Sequence, residues 1–188
     1  MQAMDSKKTV VLGVTGGIAA YKAAELARLL VRNGFNVIVV MTMNARKFVQ
    51  PLTFEVLTAN KVVTDMFERD LPASSSMPHI DLARQTRLLL IAPASANIIA
   101  KINAGIADDM LSTLCLSYTG PRLIAPAMNT EMWLNPVTQR NVDGLKGLGY
   151  AFIGPATGGL ACGDEGIGRL ADPADILKAA LDELNARK

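Results

Sequence analysis

Between positions 158 and 169 the chain reads Gly158-Gly159-Leu160-Ala161-Cys162-Gly163-Asp164-Glu165-Gly166-Ile167-Gly168-Arg169, with five glycines and a single thiol. A thiol on so small-residued a segment is open to solvent and exchanges its proton at a pH set by its neighbours. Arg169 suits an anionic group such as a phosphate. The same residues also describe a mobile loop with an incidental cysteine. A second segment, Gly13-Val14-Thr15-Gly16-Gly17-Ile18, turns a strand through paired glycines straight into a helix. Backbone can approach a ligand closely there, and the N–H groups of the helix start attract anions. An empty tight turn has the same sequence.

Two further segments follow strands. Ala92-Pro93-Ala94-Ser95-Ala96-Asn97 offers Ser95 and Asn97 as hydrogen-bonding groups for a phosphate or a ring edge, and equally as helix caps. Pro126-Ala127-Met128-Asn129-Thr130-Glu131-Met132-Trp133 offers Asn129, whose amide both donates and accepts and can hold a carboxylate without adding charge. Asn129 or Thr130 also fits a plain cap, with Met128, Met132 and Trp133 filling a core or an interface. His79 is the sole histidine. Its imidazole is the side chain best suited to move protons near neutral pH, although a lone histidine at a helix start is commonly a cap or a surface group. Asp108 and Asp109 open another helix, where the dipole favours acids whatever the function. Cys115, inside a helix from Met110 to Tyr118, reads as structural.

These segments need elements to hold them. Thr9 to Val14, Asn36 to Thr42, Arg87 to Ala92, Arg122 to Ala125 and Tyr150 to Ile153 are short apolar runs that predict buried parallel strands. Helical stretches alternate with them, except around Leu71 to Pro78. The first helix, about Ile18 to Arg32, carries Lys22, Glu25, Arg28 and Arg32 on one narrow wet stripe. The last, about Ala174 to Ala186, opens after Asp172-Pro173. The expected fold is α/β: one doubly wound, Rossmann-like or flavodoxin-like parallel sheet with helices on both faces. Residues 1–188 form one domain, with 1–7 as a tail and 154–170 as a flexible Gly-rich lid without regular structure. The glycine spacing departs from the dinucleotide fingerprint, and the second strand ends in Met41-Thr42-Met43-Asn44 without an acid for an adenosine ribose, which favours a mononucleotide over NAD.

Composition excludes several classes. Of 188 residues, 50% are hydrophobic and 19% charged, and no apolar run approaches the ~20 residues of a membrane span. A soluble chain with more apolar surface than one small domain hides is expected to form a homo-oligomer. The net charge of +2 is scattered, so nucleic acid is not an expected partner. Two cysteines, Cys115 and Cys162, suggest neither a disulfide framework nor a zinc site, and with one histidine and no ligand spacing that stands out, no metal site is expected. The start lacks a secretory signal, which points to the cytoplasm.

In this order, Thr15-Gly16-Gly17-Ile18-Ala19-Ala20-Tyr21-Lys22, His79, Ala92-Pro93-Ala94-Ser95-Ala96-Asn97, Gly105-Ile106-Ala107-Asp108-Asp109, Pro126-Ala127-Met128-Asn129 and Ala161-Cys162-Gly163-Asp164 resemble the flavin-containing cysteine decarboxylases. The resemblance spans nearly the whole chain and is greatest to members acting on 4′-phosphopantothenoylcysteine in coenzyme A biosynthesis. It implies flavin mononucleotide (FMN) against Gly16, Gly17, Ile18, Thr42, Ser95, Ala96, Asn97, Ile98 and Ala127. It implies substrate against Met128, Asn129, Ala161 and Arg169, with Asn129 gripping the carboxylate. The flavin would oxidise the cysteinyl thiol to a thioaldehyde, into which electrons flow as carbon dioxide leaves. His79 would serve as acid/base, and Cys162 would protonate the enethiolate as hydride returns, giving 4′-phosphopantetheine. The family also implies a site between subunits of a homotrimer, sometimes assembled into a dodecamer, and in bacteria frequent fusion to a phosphopantothenate-cysteine ligase. The rival readings are a peptidyl-cysteine decarboxylase of peptide antibiotic maturation, which stops at the enethiol, a flavin prenyltransferase, and a non-catalytic flavin-binding regulatory subunit.

Overall fold

A computed structural model describes residues 9–67, 77–159, 161, 163 and 165–186. The expected tail and much of the stretch before His79 lie outside the described residues. So does Cys162. Five strands, β1 (Thr9–Val14), β2 (Asn36–Met41), β3 (Leu88–Ala94), β4 (Arg122–Pro126) and β5 (Ala151–Phe152), pair in parallel in the order β2-β1-β3-β4-β5. This is the doubly wound order of the flavodoxin type, and its switch point, where ligands of such sheets bind, falls between β1 and β3.

The strands read as continuous apolar runs because both sheet faces are covered. Alternate residues of β1 part company: Val10, Leu12 and Val14 join one buried cluster, Val11 the other. The first cluster is closed by α1 (Ala20–Arg32), α2 (Pro51–Thr58) and α8 (Pro173–Ala186), whose Ala23, Leu26, Ala27, Leu30, Phe54 and Ile176 are fully buried. The second is closed by α3 (Pro78–Gln85), α4 (Ala96–Ala104), α5 (Met110–Ser117) and α7 (Pro136–Gly147), through Leu82, Ile98, Ile99, Leu111, Leu114 and Val142. Gly13 sits where any β-carbon would lie 2.6 Å from a methyl of Leu111, so β1 and α5 meet only because a side chain is missing. A short α6 (Thr130–Leu134) precedes α7.

The segment expected to be an irregular loop is instead an antiparallel hairpin of β6 (Ala156–Gly159) and β7 (Glu165–Arg169). Its pairing steps from Ala156–Arg169 to Thr157–Ile167, leaving Gly168 without its own partner on β6. Glycine density had suggested chain entropy, whereas the period of two in Gly166 and Gly168 is that of a strand face pressed against a neighbour. A β-carbon on Gly166 would run into Thr130 Oγ1, and one on Gly168 into the Met128 carbonyl oxygen.

Candidate active-site cleft

Three strand-to-helix loops and the hairpin converge at the carboxyl edge of the sheet. Thr15, fully buried, fixes the first two: its Oγ1 donates to Pro93 O at 2.7 Å and accepts from the Ser95 N–H at 2.9 Å. The Ala127 N–H donates to Ala94 O at 3.0 Å, tying the loop after β4 to the end of β3. The Met128 N–H donates to Gly168 O at 2.9 Å, which docks the hairpin on the same loop. Between them lies a cleft of about 580 Å³.

The cleft brings together most of the residues singled out from sequence. Gly16, Gly17, Ile18, Ser95, Ala96 and Ala127 line it, and so do Met128, Asn129, Ala161 and Arg169. Ser95 also caps α4, its Oγ accepting from the Ile98 N–H at 3.4 Å. Asn129 caps α6, with the Glu131 N–H donating to its Oδ1 at 2.8 Å. Capping a helix and lining the cleft therefore coexist at both positions.

Thr42, Asn97 and Ile98 do not line it. Thr42 Oγ1 accepts the Ala45 N–H at 3.3 Å and so starts a 3-10 turn, Ala45–Lys47. Consecutive helical residues point about 100° apart. With Ser95 and Ala96 at the cleft, Asn97 therefore faces solvent and Ile98 enters the core. His79, half-buried in the first turn of α3, is not a lining residue either. Conversely, Ala19, Tyr21, Lys22, Met132, Gly159, Gly168 and Leu170 line the cleft without having been assigned to it. The legible signal for Lys22 was its place just over one helical turn beyond Gly17-Ile18, which carries its ammonium to the same mouth.

The electrostatics are one-sided. Among the described residues, Lys22 and Arg169 are the charged ones that line the cleft, and no carboxylate lines it. No acid pairs with either cation among the described residues. At the turn, the N–H groups of Gly16, Gly17 and Ile18 take part in no hydrogen bond among the described residues, and a β-carbon on Gly17 would meet nothing within 4 Å. Free donors around an open glycine, with an apolar wall of Ile18, Ala96, Ala127 and Met132, fit a flat heteroaromatic ring that carries a phosphate. The two acids that precede α5 are occupied away from the cleft. Asp109 forms a capping box with Ser112, and Lys101 Nζ grips Asp108 Oδ1 at 2.7 Å. That hydrogen bond holds the Asp108 carboxyl below the ordinary range and raises Lys101. A second cavity, about 470 Å³, opens at the opposite edge of the sheet among Ile80, Arg84, Arg87, Tyr118 and Leu184. It is built on the C-terminal ends of α3 and α5, whose carbonyl dipoles oppose the anion binding that its arginines would favour.

A parallel sheet of this order with a phosphate-type turn and an apolar slot at its switch point defines a mononucleotide-binding α/β protein. The sequence matches the Flavoprotein family over residues 1–185, and the chain belongs to that family. It is 49% identical over 177 residues to the coenzyme A biosynthesis bifunctional protein CoaBC of Bacillus subtilis, covering 94% of this chain and 43% of that protein. It is 44% identical over 179 residues to a probable phosphopantothenoylcysteine decarboxylase of Streptococcus mutans, covering 94% of this chain and 99% of that one. The chain thus spans less than half the length of the bifunctional relatives and nearly all of the shorter one. Among solved structures, a PPC decarboxylase variant complexed with pantothenoylaminoethenethiol superposes with a TM-score of 0.82 at 32% identity, covering 96% of this chain and 99% of that one. The FMN-dependent cysteine decarboxylase SpaF superposes with a TM-score of 0.82 at 31% identity, covering 96% and 98%.

Proposed function

We propose that this chain is an FMN-dependent decarboxylase that converts 4′-phosphopantothenoylcysteine to 4′-phosphopantetheine and carbon dioxide in coenzyme A biosynthesis. The observation that carries this reading is the convergence of the free N–H groups at Gly16 to Ile18, the Asn129 loop and Arg169 on one cleft that no carboxylate lines among the described residues. Similarity to the bifunctional and stand-alone relatives supports the substrate. Gly16, Gly17, Ile18, Ser95, Ala96 and Ala127 would hold the flavin, with Thr42, Asn97 and Ile98 supporting the loops behind it. When bound, FMN supplies a two-electron acceptor for the cysteinyl thiol and afterwards a hydride donor.

The chain's own residues supply position and protons. Asn129 hydrogen-bonds the substrate carboxylate and aims it for loss of carbon dioxide, adding no opposing charge. Met128, Met132 and Leu170 exclude water from the bond that breaks. His79 takes the thiol proton, and Cys162 returns a proton to carbon after decarboxylation. His79 stands outside the cleft of its own chain, which supports a homo-oligomer in which a second copy presents it. The exposed Leu52, Val56 and Phe67, at 66%, 75% and 84%, give such an assembly apolar surface to cover. A cytoplasmic setting suits the pathway, and no helix among the described residues is long and apolar enough to cross a membrane. The longer relatives point to a ligase as a fused or separate partner.

Purified protein should be yellow and should release carbon dioxide from 4′-phosphopantothenoylcysteine. The Cys162→Ser variant should still release carbon dioxide but accumulate no 4′-phosphopantetheine. Yellow protein without carbon dioxide release would make this a non-catalytic flavin binder. Activity confined to peptides with a C-terminal cysteine would make it a peptidyl-cysteine decarboxylase.

A further inference from the structure

Arg169 does not hang freely over the cleft. On the hairpin it pairs with Ala156, and two residues further along the same face of β6 stands Gly158. A diagonal cross-strand neighbour of this kind is within reach of a long side chain. The Arg169 guanidinium lies over that empty place: a β-carbon on Gly158 would stand 3.3 Å from Nη1 and 3.4 Å from Cζ. Gly158 has φ of +149°, a conformation that side-chain-bearing residues rarely adopt. The other end of the arginine is fixed as well. Its neighbour Gly168, with φ of +150°, is locked to the loop after β4 through the Met128 N–H. Stem and head are thus both seated, and the guanidinium carries no acid partner among the described residues.

We infer that Gly158 is a positioning residue that holds the Arg169 guanidinium over the cleft as the reader of the substrate's phosphate, making this pair the determinant that separates phosphorylated from unphosphorylated pantothenoylcysteine. This rests on the decarboxylase reading above. A fixed planar fork recognises phosphate oxygens bidentately with little ordering cost, which a swinging side chain cannot do. Lys22, in the first turn of α1 just beyond the glycine turn, is left to the phosphate of the cofactor. A peptide substrate has no phosphate at this place, so the seated arginine also sets the chain apart chemically from decarboxylases of peptidyl cysteine.

The test compares kcat/KM for 4′-phosphopantothenoylcysteine with that for the same compound lacking phosphate, using the flavin-loaded protein. Arg169→Met should lower the wild-type preference for the phosphorylated substrate by about ten- to a hundredfold, as expected for a charge-assisted contact. Gly158→Ala should lower it in the same direction, Arg169→Lys should restore part of it, and Gly158→Ala should lower it no further once Arg169 is Met. Calorimetry with 4′-phosphopantetheine and pantetheine should show the same margin and the same losses without any turnover. If Gly158→Ala fails to retain flavin, Arg169→Met and Arg169→Lys decide alone. Equal losses on both substrates, or an unchanged preference, overturn the inference. Wild-type protein that binds the phosphorylated product more tightly yet turns over neither substrate would sink the decarboxylase reading and leave the phosphate contact standing.

Discussion

Asn129 shows how one side chain can be committed to the backbone and still face an open cleft. Its Oδ1 is used by the Glu131 N–H, which orients the amide at the cleft. Asp caps a helix as well as Asn does, so Asn129→Asp should leave the melting temperature within about 1 °C of wild type, its cap being kept. Carbon dioxide release should nevertheless fall by about a thousandfold. Two like charges ~4 Å apart at an effective dielectric of 20 repel by about 4 kcal/mol, and the new carboxylate would oppose the substrate carboxylate proposed to bind there. Normal turnover in that variant would remove Asn129 from the carboxylate site. The residue types at Ser95 and Asn129, each just beyond a strand, made their capping and their place at the cleft legible in sequence. Asn97 and Ile98 were less legible, since neighbours in sequence point to different sides once a helix begins.

The hairpin is the element whose character was hardest to read. Five glycines between 158 and 169 suggested a loop, yet Gly158, Gly166 and Gly168 are each small for a different neighbour: Arg169, Thr130 and Met128. Gly168→Ala should therefore be worse than an ordinary surface change. Its φ of +150° disfavours any side chain, and the new methyl would push against the Met128 carbonyl. Loss of hairpin docking should cost roughly 1–3 kcal/mol of local stability. Limited proteolysis should show faster cleavage within 156–169 while the sheet survives; resistance equal to wild type would show that β7 does not depend on this contact. The longer parallel strands, by contrast, were legible from their apolar runs, because burial on both faces keeps all but their first residues apolar.

For the whole molecule, the sheet separates two cores, and the second contains a titratable group. Cys115 is buried, and burial pushes its thiol from 9.0 up to about 12. The folded state holds this proton more tightly than the unfolded state, so the contribution is complete below pH 9 and is lost as pH rises toward 12. The Tyr150 hydroxyl, raised chiefly by burial in the same cluster and donating to Cys115 O at 3.4 Å, acts in the same sense. Between about pH 9 and 12, stability should fall by up to about 1.4 kcal/mol per pH unit for the thiol alone. Cys115→Ala should flatten that decline in denaturant titrations run at several pH values, even if it lowers stability at neutral pH. An identical slope would mean that other groups govern alkaline unfolding. The excess apolar character read from composition has its counterpart in exposed side chains such as Leu52 and Val56, though their arrangement needed the folded chain to be seen.

The Thr15 hydroxyl has a thermodynamic meaning beyond geometry. Because one buried oxygen both donates to Pro93 and accepts from Ser95, the loops after β1 and β3 acquire their mutual spacing when the chain folds. A ligand arriving at the switch point finds two of its walls already rigid, so the entropy of ordering them is charged to folding and not to binding. The affinity of this cleft for a flat, anionic guest is in that sense decided before the guest arrives.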